Sequence, residues 1–135
     1  MSTLEANKEV VLRYVSAFNR ADIDTLRTLF TPDAVVYGIL GWGDLDEVIA
    51  IWQELHGSFR IVLEVESMIA EGDTVAVRYA ERGTFVGPFR GLQPTGKSYE
   101  LVAMEWFELS DGRIRRRWGA RDAASQARQI GLSGV

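Results

Sequence analysis

Two charged residues of this sequence, Glu105 and Arg117, have the types and spacing that acid–base chemistry requires. They lie in strand-like runs on either side of Ser110-Asp111-Gly112, a turn whose glycine can adopt the positive φ of a G1 bulge. The resulting hairpin, 98–122, places Glu105 opposite Arg117. A carboxylate here can remove a proton α to a carbonyl group, while the arginine holds the enolate oxygen. The alternative is an ordinary cross-strand salt bridge.

The register of the hairpin decides which residues surround Glu105. The bulged turn also pairs Ala103 with Gly119, whereas a two-residue turn would pair Glu105 with Trp118. In the bulged register the face of Glu105 includes Leu101, Ala103 and Phe107, and the other face carries Met104, Trp106, Ile114 and Trp118. We therefore expect chemistry at the apolar end of the hairpin, away from the turn.

Composition limits the classes of function. The 135 residues are 47% hydrophobic and 25% charged, which predicts one globular domain, 1–135, with a real core. A net charge of −4 argues against nucleic acid as a partner, and strand alternation splits the one basic run, 113–117, between two faces. The absence of cysteine excludes disulfides and thiolate chemistry, and a single histidine argues against a metal site. Without a signal peptide or an apolar run of membrane length, we predict a cytoplasmic protein that does not contact membranes.

Hydrophobic periodicity predicts helices in the first part of the chain. The predicted helices are Leu4 to Asn19, Asp22 to Phe30, and a third that starts at Asp44 or Asp46 and ends at Gly57. A short strand, Ala34 to Tyr37, and a loop, 38–43, separate the second helix from the third.

Alternation of apolar and polar residues predicts strands in the second part. The predicted strands are 59–66, 74–84 and the two arms of the hairpin, with an irregular loop over 85–97 and a short closing helix over 123–131. Helices followed by antiparallel strands indicate the α+β class.

Several short motifs along the chain together resemble one known family. They are Val15-Ser-Ala-Phe-Asn19, Thr31-Pro-Asp33, Ala70-Glu-Gly-Asp73, Gly83-Thr84 with Gly87 and Gly91, Pro94-Thr-Gly-Lys97, Asp111-Gly-Arg-Ile114 and Gln129-Ile-Gly-Leu132. In this order the sequence resembles the SnoaL-like polyketide cyclase family, which has the fold of nuclear transport factor 2 and ketosteroid isomerase. The resemblance implies a cone-shaped, curved antiparallel sheet packed against N-terminal helices and enclosing an apolar cavity.

The resemblance also implies intramolecular aldol chemistry without metal or cofactor. The family's acid–base aspartate in the last strand corresponds to Gly119, and its substrate-binding histidine corresponds to Glu105. Glycine cannot move a proton, so Glu105 and Arg117 are the replacement candidates. Asp122 is a third catalytic candidate, with capping of the closing helix as its alternative role.

The expected ligand is a hydrophobic small molecule. Tyr37 could donate a hydrogen bond at the cavity mouth, and Trp42 could be a lid, although both could equally serve as packing residues. The remaining candidates for substrate contact are Tyr14, Phe18, Tyr79, Phe85, Phe107 and Gly119.

Two classes of function remain after this reading. The first is a cofactor-free enzyme of cyclase or isomerase type, and the second is a non-catalytic module that binds an apolar molecule. In either case, large side chains on the outer face of the hairpin predict a homodimer.

Overall fold

The structure, a computed structural model, describes residues 3–38 and 40–132. The helices of this part are α1 (Thr3–Asn19), α2 (Ile23–Thr28), α3 (Leu45–Phe59) and α4 (Ala123–Gln129). Its strands are β1 (Phe30–Gly38), β2 (Gly41–Asp44), β3 (Val62–Glu71), β4 (Thr74–Thr84), β5 (Ser98–Ser110) and β6 (Arg113–Arg121). The predicted α+β class is confirmed. None of the helices described is both long and apolar enough to cross a membrane.

The strands form one curved, open sheet in the order β2-β1-β6-β5-β4-β3. Neighbouring strands are antiparallel except β1 and β6, which are parallel. The buried face of α1, with Val11, Tyr14 and Phe18, packs against the inner face of the sheet. The outer face carries exposed Met104 and Trp106, as the alternation in β5 predicted.

The third helix begins as predicted and ends later. The Asp44 side chain accepts from the Glu47 N–H and the Glu47 side chain accepts from the Asp44 N–H, which is a complete capping box. The predicted stop at Gly57 is wrong, because the helix continues to Phe59 and ends where Arg60 adopts φ 50°. Phe59 is buried and stacks on Phe85 at 5.0 Å, and such packing outweighs the cost of about 1 kcal/mol of a glycine within a helix.

Both predicted registers of the hairpin are wrong. Asp111 and Gly112 have φ 49° and 79°, which are the values of a two-residue turn that pairs Ser110 with Arg113. The pairing then shifts by one residue, so that Leu109 pairs with Ile114 but Glu108 pairs with Arg116. The extra residue, Arg115, is a β-bulge.

The bulge determines which side chains enter the core. Beyond it, Glu105 pairs with Gly119 and Phe107 pairs with Arg117. Glu105 and Arg117 therefore share the inner face, one step along the strand from each other. Ile114, expected among the outward aromatic residues, is fully buried. Two-residue periodicity is broken at Arg115, so a prediction that counts by twos from the turn places Ile114 on the wrong face.

Gly83 allows the end of α3 to lie directly against β4. A Cβ atom there would be 2.6 Å from the Phe59 carbonyl oxygen and 2.7 Å from the Tyr99 ring. We expect Gly83→Ala to lower the free energy of unfolding by about 1–3 kcal/mol, because backbone and a buried ring must move. Urea denaturation followed by circular dichroism measures it.

Gly57→Ala is the matched control. A Cβ atom at Gly57 meets nothing within 4 Å, so the same substitution should raise stability by about 0.4–1 kcal/mol. Equal effects of the two substitutions would contradict the close packing of α3 on β4.

Candidate functional site

A pocket of about 90 Å³ lies between the helices and the inner face of the sheet. Apolar side chains line most of it, among them Phe18, Val48, Trp52 and Leu63. Its polar lining comprises Tyr14, Tyr79, Glu81, Glu105, Arg117 and Arg121. Alternation along three adjacent strands directs these charged groups inward, since Glu81, Glu105 and Arg117 lie on β4, β5 and β6.

The two carboxylate oxygens of Glu105 have different surroundings. Oε2 accepts a hydrogen bond from the Tyr14 hydroxyl at 3.0 Å and is paired with Nε and Nη2 of Arg117. Oε1 is buried and has no hydrogen-bond partner in the described structure. Glu105 is only 6% exposed, so the pairing on Oε2 offsets the cost of burying its charge. Oε1 remains an unused acceptor beside the pocket.

Tyr79 is the second polar group with unused capacity. Its buried hydroxyl has no partner of ordinary hydrogen-bond geometry in the part of the chain described. Burial raises the pKa of Tyr79 well above its usual value, and the negative charge of Glu105 and a contact with that carboxylate outside ordinary hydrogen-bond geometry add to the shift. Burial, the charge of Glu105 and the hydrogen bond to it raise the pKa of Tyr14. Both phenols therefore keep their protons at neutral pH and can donate a hydrogen bond to an anion.

Arg117 remains a cation despite its burial. Desolvation is the largest single effect and lowers the pKa of its guanidinium, but the charge of Glu105, the hydrogen bond to Glu105 and contributions from Tyr14 and Tyr79 together outweigh it, so the net shift is upward. The guanidinium carbon also lies 5.9 Å from the centre of the Trp52 ring, close enough for a cation–π interaction. Arg117 is therefore held on one side by a carboxylate and on another by an aromatic face.

Gly119 provides the space that Arg117 occupies. A Cβ atom at Gly119 would lie 2.8 Å from both Cζ and Nη1 of Arg117, a distance that real Cβ contacts do not reach. A side chain at 119 and the present position of the guanidinium are therefore mutually exclusive. This gives a physical reason for glycine in the middle of a strand.

A second buried ion pair lines the same pocket. Glu81 is 3% exposed and binds Arg121 through both carboxylate oxygens. The Tyr99 hydroxyl donates to Glu81 Oε2 at 2.6 Å. Arg121 also donates to Gln126 Oε1 at 2.9 Å.

The structure brings six of the predicted site residues together at the pocket. These are Tyr14, Phe18, Tyr79, Glu105, Arg117 and Gly119. Phe85 packs on Phe59 in a separate part of the core, and the ring of Phe107 lies behind Tyr14 at 5.2 Å; neither lines the pocket. Asp122 caps α4 by accepting from the Ser125 N–H at 3.0 Å, which was its alternative role.

Tyr37 and Trp42 lie on the outer face of the sheet. Their rings meet at 4.8 Å, and Tyr37 stacks on Trp118 at 5.2 Å with nearly parallel planes. A ligand in the inner pocket would not reach these rings, because the sheet separates them from it. Trp42 is 73% exposed, so it is the outermost member of an aromatic row on that face.

The sequence reading missed Glu81, Arg121 and Trp52 as pocket residues. A signal for the first two existed. Counting by twos from Tyr79 gives Glu81, and counting by twos from Arg117 gives Arg121. No such pattern distinguishes Trp52 from other apolar residues of α3. Within residues 3–38 and 40–132, no cluster of three histidine or acidic side chains could hold a metal ion.

We expect Gly119→Ala to lower the free energy of unfolding by about 1–3 kcal/mol, because the methyl group displaces Arg117 from Glu105. In the double variant Glu105→Leu, Arg117→Met, where the ion pair is replaced by apolar side chains, Gly119→Ala should lower the free energy of unfolding much less. Thermal and urea unfolding are measured for wild type, Gly119→Ala, the double variant and the triple variant. Together they give the coupling energy between Gly119 and the ion pair, expected between about 0.5 and 3 kcal/mol. Zero coupling would contradict the steric role of Gly119.

The family model of SnoaL-like polyketide cyclases matches residues 8–130. Among solved structures, AclR from Streptomyces galilaeus, a proposed hydroxylase, is 26% identical with a TM-score of 0.88, over 98% of this chain and 89% of AclR. IdmH from Streptomyces antibioticus, a proposed polyketide cyclase, is 29% identical with a TM-score of 0.85, over 93% of this chain and 98% of IdmH.

A proposed SnoaL-like polyketide cyclase from Jannaschia sp. CCS1 is 26% identical with a TM-score of 0.87, over 100% of this chain and 98% of the relative. An LEH-like epoxide hydrolase of M. tuberculosis, 15% identical with a TM-score of 0.76 over 96% of this chain and 92% of that protein, shares the fold. The family match covers most of the chain and agrees with the architecture described above. This chain therefore belongs to the SnoaL-like polyketide cyclase family.

Proposed function

We propose that this protein is an acid–base enzyme of cyclase or isomerase type that acts on a hydrophobic carbonyl compound. The observation that carries the proposal is the free oxygen Oε1 of the buried carboxylate Glu105. Burying a carboxylate costs several kcal/mol, and here the stabilising contacts are all on Oε2. Oε1 thus keeps acceptor capacity that these contacts do not use, while the charge itself is held in place.

In the proposed reaction, Glu105 Oε1 takes the proton from the carbon α to the substrate carbonyl. The C–H electron pair becomes the enolate double bond, and the carbonyl π electrons move to its oxygen. Tyr79, which is protonated and makes no hydrogen bond of ordinary geometry, donates a hydrogen bond to that oxygen. Arg117 and Tyr14 hold the carboxylate in position.

Two outcomes complete the cycle. In a cyclase, the enolate carbon attacks a second carbonyl carbon of the same molecule, and protonated Glu105 returns its proton to the new alkoxide. In an isomerase, the proton returns to a different carbon. Neither path requires a redox partner, because no electron leaves the substrate.

A binding module is the second candidate, and one observation favours it. By family resemblance, Gly119 stands where the cyclases carry their acid, and the Arg117 guanidinium fills the space next to it. A pocket whose charges are fully paired could simply hold an apolar carbonyl compound. Ligand binding without proton exchange would support this candidate.

We further propose a homodimer formed through the outer face of the sheet. Apolar side chains are strongly exposed there, including Ile69 at 67%, Met104 at 53% and Trp106 at 52%. They lie beside the aromatic row of Trp42, Tyr37 and Trp118. The same apolar patch on two copies of the chain can pack against itself and be removed from water, so we propose a second copy as the partner of this face.

We expect Tyr79→Phe to reduce turnover about 10²–10³-fold, because it removes the donor to the enolate oxygen. Its stability should stay within about 0.5 kcal/mol of wild type, because the lost hydroxyl makes no hydrogen bond of ordinary geometry. Proton–deuterium exchange at the α carbon of apolar ketones and β-keto esters, followed by NMR in D₂O, measures the first step directly. Unchanged exchange would remove Tyr79 from the mechanism.

Glu105→Gln should reduce the same exchange about 10²–10⁴-fold. It also leaves Arg117 without its charge partner, and both side chains are nearly buried, so it should cost about 3–5 kcal/mol of stability. Exchange is therefore measured well below the melting temperature of the variant. Glu108→Gln, on the same strand but outside the pocket, is the matched control and should behave as wild type. Full exchange in Glu105→Gln would refute the proposed base.

The dimer is tested by sedimentation at micromolar concentration. Wild type should sediment at about twice the 15.1 kDa chain mass, and Trp106→Glu should be monomeric because a charge desolvated in an apolar interface is costly. Leu12→Glu is the control, since Leu12 is similarly exposed, at 47%, but lies on α1. A monomeric wild type contradicts the proposed dimer.

A further inference from the structure

The second ion pair of the pocket, Glu81 with Arg121, has no task in the proposed reaction. Both of its carboxylate oxygens have partners: Glu81 Oε1 accepts from Arg121 Nε at 3.0 Å, and Oε2 accepts from Tyr99 and from Arg121 Nη2. The carboxylate therefore offers no free oxygen to a ligand, in contrast to Glu105. The groups of this cluster that still lack hydrogen-bond partners are N–H donors.

The unused donors belong to Arg121 and Gln126. Arginine has five N–H groups, and three of those of Arg121 are bound by Glu81 and Gln126. Even if its closeness to the Tyr99 oxygen uses a fourth, one N–H is free on a side chain that lines the pocket. Because arginine cannot accept, Gln126 must turn Oε1 towards it, and Nε2 is then buried without a partner.

A free donor next to a pocket fits a ligand atom that accepts. The formal charges of the pocket lining cancel, because Glu81 and Glu105 balance Arg117 and Arg121. A free carboxylate would add an uncompensated charge to a buried site, which is costly. A neutral carbonyl oxygen gains the hydrogen bond without that cost. The chemistry of the site thus selects a neutral acceptor.

The register places the donor and the base on the same face of the sheet. Arg121 pairs with Ala103, and Gly119 pairs with Glu105, so the backbone positions of Arg121 and Glu105 are offset by one two-residue step. Both side chains line the same pocket. A molecule with two carbonyl groups can therefore contact both.

We propose that Arg121 forms a second polar subsite of the pocket, which binds a neutral carbonyl oxygen of the molecule that reacts at Glu105. Glu81 and Gln126 are positioning residues that fix the guanidinium. The subsite rests on the proposed function for what reacts at Glu105, and it assigns a binding residue to a second carbonyl oxygen of that substrate.

Three probes that differ at one end test the subsite. They are 1-phenylhexane-1,5-dione, 1-phenylhexan-1-one, which lacks the second carbonyl, and 5-oxo-5-phenylpentanoic acid, which carries a charge there at pH 7. Dissociation constants come from calorimetric titration of the full chain. Wild type should bind the dione about tenfold more tightly than the monoketone, the effect of one hydrogen bond to a charged donor. It should bind the acid less tightly than the dione.

Arg121→Lys keeps the positive charge opposite Glu81 but loses the planar fork, so the tenfold preference for the dione should disappear. Gln126→Leu leaves both charges in place and should reduce the preference through loss of positioning, which keeps the test valid if Arg121→Lys does not fold. Arg116→Lys is the matched control. It lies on the same strand outside the pocket, where it donates to the Asp33 carbonyl, and it should keep the full preference.

Equal affinity of wild type for the dione and the monoketone would overturn the subsite. So would a preference that survives Arg121→Lys and Gln126→Leu, or the absence of binding by all three probes. The proposed function fails separately. If wild type prefers the dione but gives no Glu105-dependent proton exchange, the proposed enzymatic function is refuted and the subsite stands. If wild type gives Glu105-dependent exchange but does not prefer the dione, the subsite is refuted and the proposed function stands.

Discussion

The structure depends on the burial of the ion pair between Glu105 and Arg117. Taking a carboxylate and a guanidinium out of water is favourable only when each finds compensating contacts. Tyr14 donates to the carboxylate, Trp52 lies beside the guanidinium, and Gly119 leaves the space that the guanidinium fills. Each of these residues comes from a different place in the sequence, so the pair ties α1, α3, β5 and β6 together.

The two faces of the sheet carry different kinds of side chain. On the inner face, two ion pairs are held within an otherwise apolar lining. On the outer face, tryptophan, methionine and isoleucine side chains are exposed. Both features are exceptions to the usual arrangement of apolar residues inside and charged residues outside, which most of the described chain follows. These exceptions are the physical basis for both proposals: a polar reaction site within the fold and a contact with a second copy outside it.

The relatives share the architecture more closely than they share any single activity. Structures with TM-scores of 0.85 and 0.88 are described as a polyketide cyclase and a hydroxylase. A fold that serves different chemistries leaves the activity to the side chains that line its pocket. In this chain those side chains form two paired glutamates and arginines, one with a free acceptor and one with a free donor. The proposed substrate follows from that difference and not from the fold.

The sequence by itself determined the class of the fold, the capped start of α3 and the inward position of Glu105 and Arg117. These follow from local rules, namely side-chain periodicity and capping, which act within a few residues. The tertiary structure decided the rest. A bulge at Arg115 set the register of the hairpin, the packing of Phe59 carried α3 past Gly57, and Tyr37 and Trp42 lay on the outer face. It also brought Glu81 and Arg121, forty residues apart, into one ion pair. Contacts between distant segments decide such features, because their energy depends on which strands become neighbours, and no local pattern records that.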